Sequence, residues 1–444
     1  MVRAALLAFV LPAALGATPV LAEPVLMISI DGLRPADVIE AEQRGLKVPN
    51  LRKFLVEGAY ATGVKGVLPT VTYPSHTTLL TGASPARHGI VSNTTFDPLQ
   101  INYQGWYWYA SDIKLPTLWS SAGAAGLKVA NVHWPVSVGA TGVTWNLPQI
   151  WRSGHADDAK LLTALATPGL VGQLETATGE PYAAGIDESI EGDEKRGRFA
   201  AKLIELDRPD FATVYLTALD HEQHGKGPDT PEAHAVLERI DAIVGRLVAT
   251  EQRVQTDGAI AIVSDHGFEA VTRETNFFRP FLDAGLVRLD ASGKIASWDA
   301  MPWITGGSVA VVLAHPEDKA MEAKVRALLE QLKADPAAGI HAIAGRDEIA
   351  AMGGNPQASF FVDMDEDATA GGSATAPLTG PASVKGSHGY FPQVPALRST
   401  FLIVGKGVPA GRSLGEIDMR AIAPTLAKLL GVKLDGAELP PLAL

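Results

Sequence analysis

Pro24-Val25-Leu26-Met27-Ile28-Ser29-Ile30-Asp31-Gly32 decides the fold. From Val25 to Ile30 the run lacks the alternation of a strand with one wet face. A strand covered on both faces of a parallel sheet requires such a continuous apolar run. Similar runs recur: Val129-Ala130-Asn131-Val132, then Phe211-Ala212-Thr213-Val214-Tyr215-Leu216 ahead of Asp220. Ala259-Ile260-Ala261-Ile262-Val263 runs into Ser264-Asp265-His266, and Thr400-Phe401-Leu402-Ile403-Val404 into Gly405. Helical patterns lie between them, among them 231–250 and 419–430. Strands alternating with helices predict an α/β fold with a central, mainly parallel sheet flanked by helices. In such open sheets ligands bind beyond the carboxyl ends of the strands. Asp31, Asp220, Asp265 and His266 all sit at or just after those ends, so distant parts of the chain are expected to converge on one rim.

Residues 268–385 read as an insertion, a smaller α+β subdomain with its own strand-like run at 309–313, a helix at 316–334 and a Gly/Ala/Ser/Thr-rich stretch at 368–379. The core then comes in two parts, 23–267 and 386–444. A length of 444 residues accommodates a large core with an inserted unit. Arg3, the apolar 4–16 and Val20-Leu21-Ala22 read as a signal peptide, residues 1–22, cleaved before Glu23. The apolar stretch is short for a membrane span and holds Pro12. The expectation is an exported, periplasmic or secreted protein whose mature part has no membrane span.

The formal net charge of -12 disfavours a nucleic-acid backbone binder, which carries a basic face. It does not exclude a small anionic substrate, because bound metal ions supply local positive charge. With no cysteine in the chain, any metal must be held by imidazoles and carboxylates. Asp220-His221-Glu222-Gln223-His224 sets an acid and an imidazole four apart, on one face of a helical turn. Asp265-His266-Gly267 follows a buried strand, and Gly386-Ser387-His388-Gly389 is a glycine-flanked loop. Singly, each cluster is ordinary surface chemistry. Jointly, three Asp and three His match the donor mixture zinc accepts, and two such ions can hold both the attacking and the departing oxygen of a displacement. Leu68-Pro69-Thr70-Val71-Thr72-Tyr73-Pro74-Ser75-His76 is dense in hydroxyls, and helix-like sequence follows at 77–81. A hydroxyl there either serves as a nucleophile at a helix N-terminus or merely caps a turn.

Asp31-Gly32, Pro69 to His76, Thr81-Gly82 and His88-Gly89-Ile90-Val91-Ser92-Asn93 resemble the nucleotide pyrophosphatase/phosphodiesterase branch of the alkaline phosphatase superfamily. Asp220 to His224, Ser264 to Gly267 and Gly386 to Gly389 continue the match in order. The resemblance implies an alkaline-phosphatase-like core and two zinc ions per chain. Thr72 would be a transiently phosphorylated nucleophile. Asp220, His224 and His388 would hold one ion, and Asp31, Asp265, His266 and the Thr72 oxygen the other. Asn93 would donate to a phosphoryl oxygen, and Tyr73 and Tyr215 would flank the organic group of a small phosphate-ester substrate.

Relatives with strong monoesterase activity add a lysine and an arginine spaced by one residue. Gln149-Ile150-Trp151-Arg152-Ser153-Gly154-His155 stands in that region and lacks the pair. The expected reaction is therefore hydrolysis of a phosphodiester or nucleotide pyrophosphate. A monoesterase, a phosphonate hydrolase and a non-catalytic metal-binding protein are the alternatives. His76, His88, His133, His155, His221, His234, His315 and His341 read as structural or exposed. The loop from Trp106 to Tyr109 reads as packing or as a pocket wall, and Arg152 as a surface residue. Lys385 and the oligomeric state stay open.

Overall fold

The computed structural model describes residues 23–102, 105–150, 155–182 and 187–444. Residues 1–22, read above as a signal peptide, and Arg152 lie outside them. Eight strands form the central sheet: β1 (Val25–Ile30), β2 (Ala59–Tyr60), β3 (Val129–Val132), β4 (Trp145–Leu147), β5 (Phe211–Leu216), β6 (Ala259–Val263), β7 (Phe401–Val404) and β8 (Arg412–Ser413). Their spatial order is β8-β2-β7-β6-β1-β5-β3-β4. β1 lies at the centre, parallel to β5 and β6; β3 is parallel to β5 and β4.

The apolar character of β1, broken only by the buried Ser29, follows from this place. Leu26, Ile28 and Ile30 feed the hydrophobic core on one face, and Val25 and Met27 the core on the other. The first face is covered by α2 (Ile190–Asp207) and α4 (Pro231–Val254), the second by α1 (Thr72–Thr81) and α6 (Ile422–Leu429). The helix expected at 231–250 is thus four residues longer. Its start is set by Thr230, whose hydroxyl accepts from Ala233 N, and by Pro231 in the first turn, where a missing N–H costs nothing.

One of the sequence runs behaves differently from the rest. β7 is antiparallel to both β6 and β2. Its polarity follows from where the chain returns: Phe401 pairs with Val263 at the carboxyl end of β6, so β7 starts at the rim and runs back into the sheet.

Between Arg273 and Pro381 no described strand joins the eight-stranded sheet. Ala300–Ile304, Ser308–Leu313, Ala358–Met364 and Ile340–Gly345 build a separate antiparallel sheet, packed by α5 (Lys319–Lys333). Asp318 caps α5 through Ala320 N and Met321 N, which places the helix start three residues later than the sequence pattern does. At the root of this region Glu269–Ala270 pairs antiparallel with Gly386–Ser387, so its two ends lie side by side at the rim.

Candidate active site

The rim is assembled from strand ends. β1 delivers Asp31; Gly32 then turns with φ +69, where a side chain would collide with Gln223 Nε2. β6 delivers Asp265 and His266. β5 leads through Thr217 into α3 (Ala218–Lys226), which carries Asp220 in its first turn and His224 one turn later. No side chain of α3's own cap residue closes its N-terminus. Asp193, fully buried on α2, does so instead by accepting from Thr217 N (3.0 Å) and Ala218 N (2.8 Å). Buried Arg196 neutralises Asp193 and donates to Thr217 Oγ1 at 2.7 Å. Breaking a buried pair of this kind typically costs about 3–5 kcal/mol, so α3 is firmly held.

α1 begins at Thr72 rather than at Thr77. Pro74 falls in the first turn, where a helix lacks a use for its N–H, so it does not break the helix. The free Tyr73 N–H donates to Asn93 Oδ1 at 2.9 Å. This fixes the Asn93 amide and leaves its NH2 group for another acceptor.

His266 Nε2 lies 3.3 Å from Asp31 Oδ1 and 3.1 Å from Asp265 Oδ2. His388 Nε2 lies 3.6 Å from Asp220 Oδ1, and His224 Nε2 3.5 Å from Asp220 Oδ2. The other ring nitrogen of each histidine meets a backbone carbonyl: His266 that of Gly267 (3.0 Å), His388 that of Thr70 (3.2 Å), His224 that of Gly386 (2.9 Å). A carbonyl partner places the proton on Nδ1 and leaves the Nε2 lone pair directed at the carboxylates, which is how imidazoles are set to ligate a metal. The ligand atoms group as Asp31, Asp265, His266 and as Asp220, His266, His388, each set within 4.8 Å. His266 belongs to both groups and stacks on His388 at 3.7 Å between centroids.

Burial raises the Asp31 carboxyl well above the ordinary carboxylate range, with repulsion from Asp265 and Asp220 adding to it. Burial does the same to Asp220, reinforced by Asp265 and Glu188. Burial also holds His266 and His388 well below the usual imidazole value. Neutral imidazoles thus face carboxylates that repel one another. Asp31 Oδ1, Asp220 Oδ1, Asp265 Oδ2 and His266 Nε2 are buried without any hydrogen-bond partner. Buried polar atoms are rarely left so, and a cation among them satisfies all of them at once. The donor set of oxygen and imidazole nitrogen fits a divalent metal.

A cavity of about 280 Å³ opens beside this cluster, walled by Val71, Asn93, Trp106, His224, Thr305 and His388. Thr72, the first residue of α1, is 8% exposed next to Val71. Close packing builds the wall: Gly389, at φ +89, lets the loop pass so near Thr305 that a Cβ would sit 1.8 Å from its carbonyl oxygen.

The two tyrosines expected beside the substrate stand elsewhere. Tyr73 is 1% exposed and packs with Ile90 and Val136 beneath Trp106, whose ring centroid is 5.3 Å away; Trp106, not Tyr73, reaches the cavity. Tyr215 is wholly buried and its hydroxyl donates to Asp31 Oδ2, behind the carboxylates. Of the histidines set aside, His76 is buried at the site. It meets Ser29 Oγ (2.9 Å) and the Thr72 carbonyl (2.8 Å), 3.6 Å from Asp265. The Thr72/His76 spacing of four was the available signal, hidden by starting the helix at Thr77. Asp193 and Arg196 had none, since an i,i+3 ion pair on a helix reads as surface. Lys385 is exposed, its N–H on the His224 carbonyl.

Residues 25–367 match the family described as type I phosphodiesterase / nucleotide pyrophosphatase. The chain belongs to that family. It is 25% identical to human ectonucleotide pyrophosphatase/phosphodiesterase family member 1 over 260 residues, 55% of this chain and 24% of that one. It is 27% identical to a Schizosaccharomyces pombe pyrophosphatase/phosphodiesterase over 255 residues, 56% of this chain and 46% of the other. The chain thus spans less than half the length of these curated relatives. Among solved structures, human ectonucleotide pyrophosphatase / phosphodiesterase 5 superposes with a TM-score of 0.63 at 19% identity, covering 93% of this chain and 96% of the other. An inactive form of the murine counterpart, solved in complex with AMP, gives 0.66 at 17% identity over 94% and 96%. The mixed α/β fold with its large, mainly parallel sheet is common to this phosphodiesterase family member and those neighbours.

Within this family member, Tyr215 is expected to matter through Asp31. Tyr215→Phe keeps the ring and removes the donor, so metal affinity should fall about ten- to hundredfold with the fold intact. Competition titration against a chelator checks this; unchanged affinity refutes it.

Proposed function

We propose that this type I phosphodiesterase family member hydrolyses phosphodiesters or nucleotide pyrophosphates at a two-zinc site, through a phosphothreonine on Thr72. The observation that carries the reading is the convergence of Asp31, Asp220, Asp265, His224, His266 and His388, with four buried partnerless atoms among them, beside the hydroxyl that opens α1. Asp31, Asp265 and His266, with the Thr72 oxygen, would hold one ion, and Asp220, His224 and His388 the other. Two zinc ions, when bound, supply charge that draws a phosphate, lower the pKa of the threonine hydroxyl and neutralise a departing oxygen. Thr72 Oγ1 then attacks phosphorus, the bond to the leaving alcohol or phosphate breaks, and water hydrolyses the phosphothreonine. Asn93, its carbonyl oxygen engaged by Tyr73 N–H, turns its NH2 to a non-bridging oxygen. His76 steadies α1 from below through the Thr72 carbonyl. The AMP complex of the murine neighbour is in keeping with a nucleotide-sized substrate.

Diesters are favoured over monoesters because Trp106 gives the cavity an aromatic wall, and its described lining holds no Lys or Arg to meet a second phosphate charge. Bis-p-nitrophenyl phosphate is expected to exceed p-nitrophenyl phosphate at least about tenfold in kcat/KM; a preference for the monoester would move the assignment to phosphomonoesterase or phosphonate hydrolase. A non-catalytic metal-binding role would leave the placement of Thr72 and Asn93 without purpose. The proposal includes export with removal of residues 1–22, and a division into a core of 23–267 and 386–444 with an inserted subdomain at 268–385. Among the described residues no helix is long and apolar enough to cross a membrane.

A further inference from the structure

A second cavity, of about 220 Å³, adjoins the one beside the metal ligands and shares Thr94 and Ile304 with it. One wall is the loop that follows Asn93. The other is the strand Ala300–Ile304 of the 268–385 region. Phe96, Phe278, Met301, Trp303 and Ile304 line it, and Phe96 packs on Trp303 at 5.2 Å. Among its described lining residues the one charged side chain is Asp97, and both its oxygens already accept, from Ile101 N and Asn102 N. None of the described lining residues is Lys, Arg or His.

We infer that this cavity receives the leaving arm of the substrate, and that the arm is an uncharged ring of nucleobase or aryl size rather than a phosphate. The inference rests on the diesterase reading above. Direction follows from the shared wall. Ile304, Thr305 and Gly306 border His224 and His388, which with Asp220 would hold the ion not engaged by the Thr72 oxygen and so the one left to face the departing oxygen, and the strand runs from there back through Trp303 and Met301. Size follows from volume: about 150 Å³ is enough for a benzene ring, so the cavity holds one substituted ring. Charge follows from the lining. A pyrophosphate leaving group entering it would meet aromatic rings and a carboxylate and no cation, and burying an unpaired anion is strongly unfavourable. The cavity therefore selects among substrates that share a retained arm but differ in what departs.

The test uses two substrates with the same retained nucleoside: thymidine 5′-monophosphate p-nitrophenyl ester, whose leaving group is an aryl alcohol, and thymidine 5′-triphosphate, whose leaving group is pyrophosphate. Trp303→Ala and Phe96→Ala should each lower kcat/KM for the aryl ester about tenfold, mainly through KM, and leave the triphosphate within about twofold. Thr95→Arg, on the half-exposed loop, should lower the same aryl-to-triphosphate ratio by the opposite route, raising kcat/KM for the triphosphate by adding a cation. It also keeps the test valid if the core substitution at Trp303 unfolds the protein. Equal losses on both substrates, or an unchanged ratio in all three variants, overturn the inference while leaving the hydrolase reading intact. If the unmodified enzyme turns over neither ester, the hydrolase reading falls and this inference with it.

Discussion

Replacing Thr72 by alanine is expected to lower turnover by about four orders of magnitude or more while the protein keeps its fold and its metal. Removing the nucleophile of a covalent mechanism leaves only binding and charge stabilisation, and losses of that order are usual. The separation from stability is argued from position. Thr72 is the first residue of α1, a place alanine accepts without penalty. The contacts that fix this helix start are backbone ones, Tyr73 N–H on Asn93 and the Thr72 carbonyl on His76. Asp31, Asp220, Asp265 and the three histidines proposed as ligands are untouched and only the Thr72 oxygen is lost from one ion, so metal analysis of the variant should match the parent. Thr72→Ser, which restores a hydroxyl, should recover turnover and still trap a phosphorylated side chain on acid quenching. Full activity in Thr72→Ala would end the phosphothreonine mechanism, whatever the metals do.

The sheet and the acids at its rim were legible because burial on two faces leaves a continuous apolar run, and such a run stops where the strand meets solvent or a ligand. The same continuity hides other things. β7 reads like its neighbours, and nothing in Phe401-Leu402-Ile403-Val404 tells up from down; its direction is set by the return of the chain at the rim. In a strand apolar on both faces the period-2 signal is lost. The sequence therefore could not say that Tyr215 points to the α1 face, behind Asp31, rather than toward a substrate. Tyr73 is placed beside the substrate by the resemblance alone, but successive residues at a helix start are turned by about 100°, and Tyr73 takes the inward place under Trp106. Asp193 closes α3 from a different helix, a long-range contact that no local pattern encodes.

Stripping the metal should cost stability, and the cost should grow with pH. Asp31 and Asp220 have carboxyl pKa values raised well above their ordinary 3.8 when the buried cluster holds no cation. A raised carboxyl pKa means the folded state prefers the proton. Its favourable contribution is present below 3.8 and is lost as pH rises through the folded value, so the stripped protein carries a growing penalty above about pH 4. His266 and His388 have depressed values and stay neutral in the fold; their penalty appears as pH falls below 6.5. The metal-loaded form needs the same neutral imidazoles, so that penalty is common to both forms and leaves the difference. Competition from protons for the ligands acts in the same direction, weakening metal binding at low pH. Occupancy at about a thousand times Kd stabilises by about 4 kcal/mol per site, which for two sites in a chain of this size is a Tm gap on the order of 5–10 °C. Melting curves of chelated and zinc-reconstituted protein at pH 5, 6.5 and 8 measure it directly. The gap should widen across the series. A gap that is absent, or that narrows toward pH 8, would mean that the buried carboxylates are satisfied by something other than a cation.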